Sequence, residues 1–142
     1  MSDASHPHIT ICQFVSVEES ILPLLWDKLQ SLELFSLAPK FLGVNFQKGA
    51  GEHSGYYWAQ LLVERDQWVM ETHRAALGLL EMMNLQCLSD HGEIYKPHVT
   101  LARILLKSPL ALWDESILDP STFKLTIGLS DKHGQYLKTL FE

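Results

Sequence analysis

The residues Pro7-His8-Ile9-Thr10-Ile11 return as Pro97-His98-Val99-Thr100-Leu101. Each copy sets an imidazole and a hydroxyl two positions apart among aliphatic neighbours. In an extended strand this spacing sends the histidine and the threonine to one side and the aliphatic residues to the other, with about 6.6 Å between the polar positions. Histidine, with an unperturbed pKa of about 6.5, takes or gives a proton near neutrality. Two such strands around one cleft would supply a base, an acid and two hydroxyl donors. That set can move a proton off a nucleophile, return one to a departing oxygen, and hold the non-bridging oxygens of a phosphate ester as charge builds on them. The chemistry calls for no metal and no cofactor. One His-x-Thr means little by itself, but of the seven histidines only His8 and His98 are followed by threonine at this spacing. The proline before each fixes its own φ and favours an extended lead into a strand.

The elements that must position these groups follow from periodicity. Residues 8–15 predict a strand from their β-branched and aromatic content. In the segment from Ser20 to Glu33, Ile21, Leu24, Leu25, Leu29 and Leu32 recur at helical spacing, with Ser20 as a cap and Pro23 in the first turn. Residues 35–49 and 55–65 alternate like two strands of a hairpin around a glycine-rich loop. From Asp66 to Asn84 the pattern is helical, with Trp68, Thr72, Ala75, Ala76, Leu79, Leu80 and Met83 on one face. Residues 85–92 and 96–105 predict two further strands. Residues 122–130 and 134–141 predict a closing hairpin around the turn at residues 131–134. Each His-x-Thr strand starts a comparable unit, consistent with an internal duplication into two similar lobes.

Composition bounds the partners. The chain has 142 residues, 46% of them hydrophobic and 20% charged, with no low-complexity tract, which predicts one domain with its own core. No apolar run approaches the roughly 20 residues needed to cross a bilayer, so no membrane partner and a cytoplasmic location are expected. The formal net charge of −6 argues against coating long duplex nucleic acid. Lys96, Arg103, Lys107, Lys124, Lys132 and Lys138 nevertheless weight the second half basic, which leaves room for a small anionic ligand or a nucleic acid end. Cys12 and Cys87 have no C-x-x-C spacing and are expected to be buried thiols.

At this point the paired motifs resemble those of the two-histidine phosphoesterase superfamily, which includes RNA 2′,3′-cyclic phosphodiesterases, enzymes historically called 2′-5′ RNA ligases, and plant cyclic nucleotide phosphodiesterases. The similarity spans most of the chain: helix after the first motif, hairpin, second helix, second motif, and a terminal Ser130-x-x-x-Gly134-x-Tyr136 element, all in the family's order. The resemblance implies an α+β fold of two lobes, with two mainly antiparallel sheets, helices outside and a central groove. It implies His8, Thr10, His98 and Thr100 as catalytic residues, and a nucleotide or RNA end bearing a 2′,3′-cyclic phosphate or related phosphodiester as substrate. Arg103 matches the arginine of the H-x-T-x-x-R form, which contacts phosphate, and Tyr136 is expected to line the groove. Strict alternation would put Arg103 on the face opposite His98, so this match requires the strand to bulge or end near Ala102. Family members usually have a strand and a helix before the first motif, whereas seven residues precede His8 here. An open edge in the first lobe is therefore expected, and with it a homodimer that covers the edge.

Other readings compete. A groove without turnover would make the chain a binding module for an RNA end or nucleotide. His6-x-His8 has the spacing of two metal ligands on a strand, which would make a metalloenzyme, although no third ligand is evident. His53 and His133 are expected at the surface. Tyr56, Tyr57, Trp58 and Phe46 suit either a stacking platform for a base or core packing.

Overall fold

A computed structural model describes residues 7–15, 18–32, 36–105, 122–131 and 136–142. The first motif does not form the regular strand that its composition predicts. Residues 9–14 bend at Ile11 and meet the rest of the chain at two isolated antiparallel bridges, Ile9 with Val99 and Phe14 with Cys87. A 3₁₀ turn, Glu19–Ile21, then leads into α1, Leu22–Gln30. Pro23 lies in its first turn, but Ser20 does not cap it: the serine hydroxyl donates to Glu18 at 3.5 Å and Ile21 occupies the N-cap.

The expected strand over residues 35–49 is split. β1, Ser36–Leu37, and β2, Phe41–Lys48, are separated by Ala38, Pro39 and Lys40. Proline has no N–H to give a ladder, so a break here is the natural outcome. β3, Tyr56–Val63, pairs antiparallel with β2, and β4, His98–Leu105, pairs with the other side of β3. The three-stranded order β2-β3-β4 leaves β2 as an edge, where Leu42, Val44 and Phe46 are exposed.

Between β3 and β4 lies α2, Gln67–Met82. The Asp66 carboxylate caps it by accepting from the Val69 N–H at 2.8 Å. At its other end Asn84 takes a left-handed φ of 55°, the Asn84 N–H donates to Glu81 O and the Leu85 N–H to Leu80 O. This is a Schellman ending, and it turns Leu85 back onto the apolar face. Val69, Thr72, His73, Ala76, Leu79 and Leu80 form the buried stripe. Trp68 was expected on that stripe and is 64% exposed: it stands only about 40° around the helix from Thr72, but it lies in the first turn of α2. Residues 85–92 are not a strand either; Cys87 alone bridges to Phe14, and Gly92–Ile94 is a 3₁₀ turn.

The chain closes with β5, Phe123–Lys124, against β1, and with the hairpin of β6, Ile127–Ser130, and β7, Tyr136–Phe141. The turn expected at residues 131–134 falls mostly outside the described residues. All the described ladders are antiparallel, so the class is α+β. The core has two parts. Leu25, Trp26 and Leu29 of α1 meet Leu79 and Leu80 of α2 and Ile127 of β6, with Trp26 stacked on Phe141 at 6.0 Å. Val63, Val69 and Tyr95 form the second part, joined by Ile9, Phe41 and Met70. No helix among the described residues is long and apolar enough to cross a membrane.

Candidate active site

The second motif is positioned by β4, and one irregularity decides what it can present. Trp58 faces Arg103, Ala59 faces Ala102, Gln60 faces Thr100, and Leu62 faces His98. Between Ala59 and Gln60 the register slips by one, so Leu101 is an extra residue with no partner of its own. Trp58, Gln60 and Leu62 share one side of β3 by alternation, and cross-strand partners share a side. His98, Thr100 and Arg103 therefore lie on the same face. The bulge that the arginine match requires is present, one residue before Ala102. Arg103 also shows its direction through its contacts: the guanidinium lies 4.8 Å from the Tyr56 ring centroid and 6.0 Å from that of Trp58.

The first motif meets this face through the bridge between Ile9 and Val99. Ile9 packs with Val63, Val69 and Tyr95, which is the α2 side of the sheet. Alternation directs its neighbours His8 and Thr10 to the other side, the side of His98 and Thr100. Antiparallel register then sets His8 across from Thr100 and Thr10 across from His98.

Individual contacts refine the picture. His98 Nδ1 donates to the Lys96 carbonyl at 2.8 Å. A carbonyl only accepts, so Nδ1 carries a proton and Nε2 is the nitrogen that exchanges one. The His8 ring lies 5.0 Å from the Tyr136 ring, tilted by 36°. Tyr136 gains that place because Gly128 on β6 has no side chain; a Cβ there would run into the tyrosine ring. A cavity of about 1020 Å³ adjoins the first motif, lined among others by His8, Thr10, Gln13, Ser130, Tyr136 and Lys138. His98, Thr100 and Arg103 do not line it. The structure thus gathers His8, Thr10 and Tyr136 at the cavity and His98, Thr100 and Arg103 on the neighbouring sheet face, with the Ile9 bridge joining the two groups.

The aromatic residues of the hairpin divide. Tyr56 and Trp58 stand on the face of Arg103, whereas Tyr57 and Phe46 belong to the opposite face, and Phe46 is 42% exposed there. His53, expected at the surface, is half-buried and meets the Trp58 ring edge-on at 5.0 Å. His6 and His133 lie outside the described residues, and so does Gly134. Among the described residues no three His, Cys, Asp or Glu side chains gather as a metal site. Cys12 and Cys87 are free and half-buried, less enclosed than expected. Burial and the neighbouring Cys87 push the Cys12 thiol up to about 12.

Three residues were missed from sequence. Lys138 reaches the cavity two positions beyond Tyr136, a spacing that strand alternation makes readable. His73 and Tyr95 are enclosed side chains beside the first motif. His73 lies at one edge of the buried stripe of α2, where a titratable residue beside Val69, Ala76 and Leu80 is the signal that periodicity offers. Burial holds its pKa below the usual imidazole value against the opposing pull of the Ile11 carbonyl, with smaller lowering contributions from the neighbouring His91 and Arg65. Burial raises the phenol pKa of Tyr95.

Comparison with known proteins adds no relative: no family model, no curated protein and no solved structure matches the chain.

Proposed function

We propose that the chain is a metal-independent phosphodiesterase of the two-histidine kind, acting on a 2′,3′-cyclic phosphate or related phosphodiester of a nucleotide or RNA end. The observation that supports it is the antiparallel bridge between Ile9 and Val99, seen together with the bulge at Leu101. On this reading both His-x-Thr pairs and Arg103 turn to one side of the backbone. Under this reading the sheet with α2 and the β6–β7 hairpin with α1 are the two lobes, and the groove lies between them. One imidazole takes a proton from water or a ribose hydroxyl, and the other, as imidazolium, gives one to the departing ribose oxygen. Thr10 and Thr100 donate to the non-bridging oxygens, Arg103 offsets the charge they gain, and Tyr136 orders the ring of His8.

The test is direct. Nucleoside 2′,3′-cyclic monophosphates and oligonucleotides ending in a cyclic phosphate are incubated with the protein in excess chelator, and products are identified by chromatography. Conversion to a single monophosphate isomer is expected. Intact substrate after prolonged incubation would sink the catalytic reading.

A second reading rests on a specific feature: the cavity reaches the first motif and not the second. A chain that binds an RNA end there without turning it over would show saturable binding and no product in the same experiment.

A further inference from the structure

The first motif is held to the sheet by little backbone pairing, yet its two threonine-side carbonyls are both occupied. The Tyr95 hydroxyl donates to the Thr10 carbonyl at 3.0 Å. His73 Nδ1 donates to the Ile11 carbonyl at 2.7 Å, and its Nε2 accepts from the Gly92 N–H at 3.1 Å. A carbonyl can only accept and an amide can only donate, so these two partners select one form of the ring: neutral, with the proton on Nδ1. His73 is 0% exposed, and its ring lies flat on Tyr95 with centroids 3.9 Å apart and planes within 5°. Gly92, at φ 62°, takes a turn that side chains other than glycine resist. Arg65 steadies the same turn from the junction of β3 and α2 by donating to Gly92 O at 3.2 Å and Glu93 O at 3.0 Å.

From these contacts we infer that Tyr95 and His73 are positioning residues which set the first His-x-Thr strand against the second. Tyr95 stands three residues before His98, in the short connection that leads into β4. Its hydroxyl therefore measures the offset between the two motifs, one residue from Ile9 and its bridge. His73 measures the same offset from α2 and ties the connection to the strand through Gly92. The catalytic consequence rests on the two-histidine reading above; the positional one does not. Protonation of His73 would leave Nε2–H pointing at the Gly92 N–H and would undo the tie. The charged and titratable groups around His73 are Arg65, His91 and the Tyr95 phenol, with Cys12 close to that phenol.

The experiment is Tyr95→Phe, which keeps the ring on His73 and removes only the hydroxyl. Amide hydrogen exchange over residues 8–12 is expected to quicken about tenfold, the effect of losing one net hydrogen bond, while the β2–β3 hairpin keeps its protection. kcat on the cyclic phosphate should fall with KM little changed. In the wild-type protein, imidazole nitrogen chemical shifts should report His73 as the Nδ1–H form at neutral pH. Unchanged exchange over residues 8–12 in Tyr95→Phe, or a His73 carrying its proton on Nε2, would overturn the inference even if the enzyme is active. An inactive wild-type protein with quickened exchange in the variant would overturn the catalytic reading and leave the positioning role in place.

Discussion

The two copies of the five-residue phrase are held by different means. His98 and Thr100 belong to a strand paired with β3 on both sides of one bulge, whereas His8 and Thr10 belong to a segment outside any ladder, fixed by the Ile9 bridge and by side-chain bonds from Tyr95 and His73. A ladder distributes its hold over many bonds and is insensitive to any single one. A segment tied at a few points is adjustable, and its position depends on the chemistry of the residues that tie it. Similar local sequence therefore does not imply similar mechanical support, and the first motif is the place where perturbations remote from the chemistry should be felt.

The strongest test of the comparison removes the imidazoles in turn. His8→Ala and His98→Ala are each expected to lower turnover by about 10²–10⁴, since each deletes one proton transfer. Both variants should stay folded, because both residues are only half-buried. If one variant keeps near-normal turnover in the chromatographic assay, the motifs are not functional equals. A bell-shaped dependence of rate on pH in the wild-type protein would accompany the symmetric result.

Next in size is the bulge. Arg103→Ala is expected to weaken substrate binding about ten- to a hundredfold, the range for a hydrogen bond to a charged group, with a rise in KM as the measured quantity. Arg103 also covers the Tyr56 ring, so the same change measured by thermal unfolding separates lost packing from lost binding. No rise in KM would mean that the bulge serves β4 alone.

These cases show what was legible in the sequence and why. The helix around Thr72, the hairpin of β2 and β3, and the strand of the second motif were readable because periodicity records which face is buried. The need for a bulge near Ala102 was readable too, since Arg103 and His98 are an odd number of residues apart and only a slip could bring them to one side. The first motif was misread as a regular strand: β-branched composition reports a preference for extended backbone, while a ladder depends on a neighbour that sequence does not name. Pro39 interrupts a segment whose composition otherwise reads as a strand, and Trp68 shares the face of Thr72 and Leu79 yet stands in the first turn of α2, where it stays exposed. His73 and Tyr95 act through backbone carbonyls of residues far away in the chain, and no local pattern announces such a bond.

The smallest expected effect is also the one that separates the two motifs most cleanly. His73 has a lowered pKa in the folded protein, so between the usual value of about 6.5 and the lower folded value the unfolded chain binds a proton that the folded chain refuses. Stability must then fall as pH drops below about 6.5, with a slope of at most about 1.4 kcal/mol per pH unit for a single proton. Above that pH neither state is protonated at this site and the contribution is constant. Denaturant unfolding across this range gives the slope, and hydrogen exchange shows where it originates. Protection over residues 8–12 should decline with acid before protection in β3 and β4 does, because protonation first breaks the bond to the Gly92 N–H and with it the tie to the first motif. A uniform decline across both motifs would mean that they share one support after all.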